Sequence, residues 1–451
     1  MPKAASTNRP PARGGITRRS VVHGLGVGAV AAFARPTFAQ SRAPVTLSFW
    51  TFENPQMRPW LAKRIKLFTD ANPHVKVDFQ AFTFNDLSKK VSVGYATGTA
   101  PEGFVSQDWF MPTWLAKDLI APIDVQRLGY GSIKEYTDDY AQAFVQGAIK
   151  DGKVYGYPIW FYGFCNYLNT RQFKEVGLDA EKDWPQTWEQ LGEAAKRLTV
   201  KSGSRFTRQG FKWAMHSAQW TVIQVNPILA QCGGQWCDAS GKCTINNAAG
   251  VKAVTIRASI SRQYGADDPA DTIATNSLPM LDWLKERASM FLNHPIPLPV
   301  FQSQNPKMLA ENYYRPVRYP GLEACKGYSS VYGFNLIINA RASKEKQEVL
   351  HDLYKFIMSD LADCWKDTAP FTLARKSGWA DLPEVKKFPY VEEVIAAKDT
   401  GVYLPRTLVY NELADALHRG VQKIVLTNAG IKATLDDVAA EVDRASAAQK
   451  G

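Results

Sequence analysis

Between residues 45 and 106 the hydrophobic period switches repeatedly, and no other feature limits the possible folds as tightly. Val45, Leu47 and Phe49 alternate with polar residues, the two-residue period of a half-buried strand. Met57, Trp60, Leu61, Ile65 and Phe68 then recur at helical spacing, with Pro59 tolerated in the first turn, until Asn72-Pro73 ends the helix. Val75, Val77 and Phe79 alternate again. A second helix is predicted over 86–96, capped by Asn85 or Asp86 and stopped at Gly98, before a short strand that ends near Ser106. Strands alternating with helices of this length imply an α/β fold with a mostly parallel sheet and right-handed crossovers. Ligands of open α/β sheets bind beyond the carboxyl ends of the strands. That rule selects Trp50–Glu53 and Ser106–Trp109.

The 451 residues leave room for two or three domains at about 150 residues each. Residues 155–168 read as a strand-like aromatic run. Pro185-Gln186-Thr187 opens a helix with Trp188, Leu191, Ala195 and Leu198 on its apolar face. Helical patterns follow over 248–264 and 347–358, with a short amphipathic segment over 282–290 and a strand over 332–338. Pro295, Pro297 and Pro299 form a stiff stretch suited to a crossover, and the chain ends on helices over 407–426 and 431–446.

Net charge of +11 invites a nucleic-acid reading, but its distribution argues against one. Residues 1–39 hold six basic residues and no acid, so the other 412 residues carry only +5 and no dense basic stripe. The first 39 residues read as a cleaved export signal. Val21–Phe33 is apolar yet too short to span a bilayer, which takes about 20 residues. Thr37-Phe38-Ala39 is small at both positions that a signal peptidase reads, placing cleavage after Ala39. Thr17-Arg18-Arg19-Ser20-Val21-Val22 resembles the twin-arginine export signal. No Cys follows the apolar stretch closely, so a soluble periplasmic protein without a lipid anchor is expected. Six cysteines remain. Asp238–Lys242 reads as a turn that brings Cys237 and Cys243 together, so a disulfide is expected there, and the pairing of Cys165, Cys232, Cys325 and Cys364 stays open. No ligand spacing for zinc accompanies them, and no metal or cofactor is expected.

Over nearly the whole length after residue 40, the chain resembles the family 1 extracellular solute-binding proteins, the group that includes maltose-binding protein and serves carbohydrate importers. The matching stretches are Phe68-Thr69-Asp70-Ala71-Asn72-Pro73-His74-Val75-Lys76-Val77, Ala96-Thr97-Gly98-Thr99-Ala100-Pro101, Tyr155-Gly156-Tyr157-Pro158, Tyr167-Leu168-Asn169 and Pro185–Leu191. Glu102 stands where the family usually has Asp, and Arg287-Ala288-Ser289-Met290 departs twice from the family's G-x-A-A-M. The resemblance implies the type II periplasmic binding protein fold, two α/β lobes hinged around a ligand cleft. Lobe one would hold 44–158 plus 297–358, and lobe two 159–296 plus 359–451. It also implies a carbohydrate ligand, membrane permease subunits of an ABC importer as partners, and a monomer.

A sugar site needs rings for the apolar faces of the ligand and carboxylate, amide or imidazole groups for its hydroxyls. The strand ends offer Glu53, Gln107, Asp108 and Trp109. Trp213, His216 and Trp220 are spaced as on one helical face. By resemblance, Tyr162 follows the hinge strand, Asn293 and His294 replace a cleft segment of the family, and Tyr332 stands at a lobe edge. Arg406 opens a late helix within reach of an anionic ligand, and Arg315 and Arg318 leave room for one too. The alternatives are an exported carbohydrate-active enzyme or the sensor partner of a membrane receptor. G-x-S-x-G, H-E-x-x-H, a P-loop and C-x-x-C are all missing, although a pair of catalytic carboxylates leaves no such mark.

Overall fold

The computed structural model describes residues 43–450, apart from 56, 141–143, 146, 239, 275–277, 297, 361, 365–373, 377–381, 387–389, 391, 394–395 and 397–400. The export signal expected over residues 1–39 lies outside the described residues. Two sheets organise the rest. The first contains β1 (Val45–Phe52), β2 (Val75–Phe82), β3 (Gly103–Gln107), β4 (Tyr157–Tyr162), β10 (Ser330–Ile338) and β11 (Val402–Tyr403). The second contains β5 (Cys165–Asn169), β6 (Val200–Ser202), β7 (Arg205–Lys212), β8 (Ala288–Asn293) and β9 (Tyr314–Val317).

The opening β-α-β-α-β run forms as its periodicity predicts. β1 pairs in parallel with β2 and β3, joined by α1 (Met57–Ala71) and α2 (Phe84–Thr97). Met57, Trp60, Leu61, Ile65 and Phe68 are all buried on α1. Gly98 closes α2 in the left-handed region at φ 76°, which a side chain would resist. The N-cap of α2 is Thr83, neither Asn85 nor Asp86 as expected. Its hydroxyl accepts from the Asp86 N–H, and Asp86 sits in the first turn as the reciprocal acceptor. Thr187 does the same for α3 (Trp188–Leu198), forming a full capping box with Gln190.

Beyond α2 the sheets differ in direction. β10 runs antiparallel to both β3 and β4, and in the second sheet only β7–β8 is parallel, whereas β5–β8, β5–β9 and β6–β7 are antiparallel. The expected amphipathic segment over 282–290 splits into a short helix, Pro279–Leu284, and the strand β8. Every residue of β8 is buried, so it lacks the alternation that would have marked it as a strand. Three stretches also lie in the other sheet from the one their expected lobe implied. Residues 159–162 and 402–403 pair with β10 in the first sheet, and residues 314–317 pair with β5 in the second.

Helices α4 (Ala218–Gln231), α5 (Ala248–Arg262), α7 (Tyr410–Thr427) and α8 (Ile431–Lys450) pack together, while α6 (Lys344–Ile357) lies against α1 and the first sheet. No helix among the described residues is long and apolar enough to cross a membrane.

Candidate functional site

A cavity of about 190 Å³ opens between the first sheet and the start of α4. One wall comes from three strands. β1 ends on Phe52, which stacks on Phe334 of β10 at 4.7 Å between ring centroids. Tyr332 and Phe334 are two residues apart and so share a face of β10. Gly333 between them is held tightly: a Cβ there would run into the Phe144 ring and the Trp160 carbonyl. Tyr162, last residue of β4, pairs in register with Tyr332 and lies 5.4 Å from its ring. Met57 at the start of α1 completes the wall, its sulfur 3.9 Å from the Tyr162 hydroxyl.

The opposite wall comes from the other half of the molecule. β7 ends at Lys212, and the chain passes through His216 and Ser217 into α4, which presents Trp220 and Ile223 one turn apart. His294 joins them from the end of β8. Its ring lies 5.4 Å from Tyr162 and 6.2 Å from Trp220, and Trp220 in turn sits 5.4 Å from His216. His294 Nδ1 is 2.9 Å from its neighbour's carbonyl oxygen, that of Pro295. A carbonyl can only accept, so Nδ1 carries the hydrogen and Nε2 is left with a lone pair.

Burial sets the protonation of the site. It pulls His216 down to about 4, with His418 adding to the effect, and it pulls His294 down to about 4 against the Pro295 hydrogen bond. Both imidazoles are therefore neutral at ordinary pH. Burial pushes the Tyr162 and Tyr332 phenols up, so both remain protonated. The lining thus offers aromatic faces together with neutral donors and acceptors: the Asn54 amide, the Ser217 hydroxyl and two imidazoles.

Of the residues expected at a site, Tyr162, His216, Trp220, His294 and Tyr332 line this cavity. The other six stand elsewhere. Glu53 is exposed and pairs with Arg58 at 3.3 Å. Gln107 is buried opposite Phe334 in the β3–β10 ladder. Asp108 is buried behind Tyr332, and burial pushes its carboxyl up to about 7 against the pull of Arg406 and backbone N–H groups. Trp109 is a core ring, stacked on Tyr410 at 5.4 Å and edge-on to Tyr332. Asn293 is buried at the end of the β8 ladder, opposite Cys165. Arg406 lies over the Tyr403 ring at 4.8 Å and donates to the Phe144 carbonyl. Trp213 does not share a helical face with Trp220, because α4 begins only at Ala218; it is buried, stacked on Trp188 and covered by Arg257.

Sequence reasoning missed Phe52, Asn54, Met57, Ser217, Ile223 and Phe334. Phe52 lies inside the strand-end segment that the carboxyl-end rule selected, and Asn54 just past it. The preference for a charged side chain drew attention to Glu53. Phe334 was within reach of the two-residue period counted from Tyr332.

Cys237 and Cys243 are free thiols in this structure. They nevertheless face each other as an isolated antiparallel bridge, flanked by Asp238 N–H to Lys242 carbonyl and Thr244 N–H to Trp236 carbonyl hydrogen bonds, each 2.9 Å.

Residues 54–362 match the model of the bacterial extracellular solute-binding protein family, and the chain belongs to it. Among solved structures, an ABC substrate-binding protein from Listeria monocytogenes in complex with cycloalternan is 18% identical, with a TM-score of 0.73 over 89% of this chain and 99% of that one. A solute-binding protein from Agrobacterium radiobacter K84 in complex with ribitol is 19% identical, with a TM-score of 0.72 over 89% and 99%. One from Thermotoga lettingae bound with alpha-D-tagatose is 17% identical, with a TM-score of 0.73 over 88% and 99%. The fold is shared along the chain although few residues are.

Proposed function

We propose that this protein captures a sugar or sugar derivative in the cavity and delivers it to the permease subunits of an ABC importer. The observation that carries the reading is the meeting of stacked rings from β1, β4 and β10 with neutral hydrogen-bonding groups at the start of α4. Rings take the C–H faces of a sugar, at about 0.5–1.5 kcal/mol for an aromatic contact beyond area burial, and each hydrogen bond adds about 1 kcal/mol. Bound cycloalternan, tagatose and ribitol in proteins of the same fold support it. The two sheets are the lobes, with the chain crossing at Gly163-Phe164, again between β9 and β10, and again between β11 and α7. Closure of the lobes on ligand would lower the radius of gyration. Small-angle scattering with and without a saturating sugar tests this, and superimposable curves would sink the hinged reading.

In this reading the protein works as a monomer in the periplasm and performs no catalysis. Residues 1–39 are removed after twin-arginine export, so Arg18→Lys combined with Arg19→Lys should leave precursor in the cytoplasm. Normal periplasmic accumulation would point to the general secretory route instead. Cys237 and Cys243 oxidise to a disulfide once exported. They occupy a non-hydrogen-bonded pair, where opposed Cα atoms stand at about 4.5 Å, within the span a disulfide bridges. So short a loop contributes roughly 2 kcal/mol, and the double serine variant should fold but melt earlier. Peptide mapping of the non-reduced protein that recovers both thiols would rule the bond out.

A further inference from the structure

Pro227 sits inside α4 and has no N–H to donate. Four positions earlier stands Ile223, whose carbonyl is therefore denied its regular helix bond. A buried carbonyl left unpaired is costly, and here the replacement donor comes from a distant part of the chain. Ser330 Oγ, on the first residue of β10, donates to the Ile223 carbonyl at 2.7 Å. The side chain of Ile223 lines the cavity, one turn along from Trp220.

The residue before the proline extends this tie. Asn226 is buried, and its Nδ2 donates to Ser330 Oγ at 3.1 Å and to the Tyr403 carbonyl at 3.0 Å. Its Oδ1 accepts from Trp236 Nε1 at 2.7 Å, which sets the orientation of the amide. Ser329 completes the group. Its hydroxyl accepts from the Phe164 N–H at 3.0 Å, and its carbonyl accepts from the Val402 N–H at 2.8 Å. Phe164, Ser329 with Ser330, and Tyr403 border the three stretches where the chain passes between the two sheets. The cavity-facing turn of α4 is thus bonded to two of these crossings, and through Ser329 to the third. Apolar packing is non-directional and lets a helix slide or turn, whereas buried hydrogen bonds fix it in one place.

We infer that Ser330 and Asn226 are positioning residues for the binding cavity: they hold the Trp220–Ile223 turn of α4 in place against the strand wall and tie it to the crossings. The inference rests on the proposal that this cavity is the binding site.

Three variants of the full exported chain test it: Ser330→Ala, Pro227→Ala and the two combined. Ser330→Ala strips the Ile223 carbonyl of its donor and should lower the melting temperature by a few degrees. Pro227→Ala supplies the missing N–H, so in the Ser330→Ala background it should recover most of that loss. A gain from Pro227→Ala that is the same with and without Ser330 overturns the inference, because the hydroxyl would then not replace the helix bond. The double variant has a satisfied α4 that only Asn226 still ties to the crossings. With 5-fluorotryptophan incorporated, the Trp220 fluorine resonance, assigned through Trp220→Phe, should shift and broaden in the double variant. Adding Asn226→Ala should move it further, while the line of Trp283, in the core of the second sheet, stays in place. A Trp220 line unchanged from wild type overturns the positioning role and leaves a bond that only stabilises the fold. This readout needs no ligand, so its failure is distinct from a failure of the sugar-receptor reading. If the wild type binds maltose or ribitol in calorimetry, the double variant should bind it at least about tenfold more weakly. Equal affinity overturns the inference as well.

Discussion

The two walls of the cavity are built on opposite terms. The strand wall, with Phe52, Tyr162, Tyr332 and Phe334, is an extension of the core: all four rings are buried, Phe52 stacks on Phe334, and the tyrosines meet their neighbours tilted or edge-on within 6 Å. The helix wall, with His216, Ser217 and Trp220, is half-buried, and two of its polar atoms lack partners among the described residues. If the cavity is the binding site proposed above, stability is concentrated on one side and recognition on the other. A receptor gains from that division, since the recognition side can change with the ligand while the sheet that shapes the cavity stays intact.

Truncating the strand wall should break the fold before it changes binding. Phe334→Ala removes a ring packed against Phe52, Trp160 and Tyr162, and should cost about 3–5 kcal/mol, read as a large fall in denaturant midpoint. A loss below about 1 kcal/mol would mean that the wall is not core.

Acid should separate the walls by sign. Behind the strand wall, Asp108 titrates at about 7 in the folded protein, above its ordinary 3.8. Folding thus holds an extra proton between those values, and the stability this contributes is lost as pH rises through about 7. On the helix wall, His216 and His294 are lowered from 6.5 to about 4, so their contribution is complete above 6.5 and lost as pH falls toward 4. Asp108→Asn should accordingly gain on the wild type by a few kcal/mol between pH 5 and pH 8. A stability difference that stays constant with pH would show that the carboxyl does not titrate there.

Trp220→Ala should do the reverse of Phe334→Ala. It removes a half-buried ring that contacts Phe164 and His216, and should weaken ligand binding at least about tenfold while the protein stays folded. Affinity within twofold of wild type would remove Trp220 from the site. The smallest effect belongs to Glu53→Gln. This carboxylate is exposed and paired with Arg58, so binding and stability should both stay close to wild type. A tenfold loss of affinity would return Glu53 to the cavity.

Local pattern made much of the fold legible. The period switches located β1, α1, β2 and α2, and Gly98 and Thr187 marked helix ends by their own chemistry. Where both faces of an element are buried, as in β8, alternation disappears, and by pattern the strand reads as part of a short amphipathic segment. The site was less legible for a related reason. Asp108 and Trp109 do stand at a strand end, yet which strand-end side chain faces the cavity depends on how β10 lies across β3 and β4.

From the sequence alone came the α/β class, the first sheet's parallel half, the family and five of the lining residues, because each depends on neighbours a few positions away or on a local motif. Tertiary structure alone decided that the ring of Trp213 belongs to the core while that of Trp220 faces the cavity, and that Glu53 and Arg406 have partners elsewhere. It also decided that Ser217 ends as an N-cap whose hydroxyl caps nothing. The placing of Trp213 and Trp220 depends on groups brought together from distant parts of the chain, among them Arg257 over Trp213 and Phe164 beside Trp220. Packing acts at contact distance, and such long-range contact is set only when the elements meet in the folded protein.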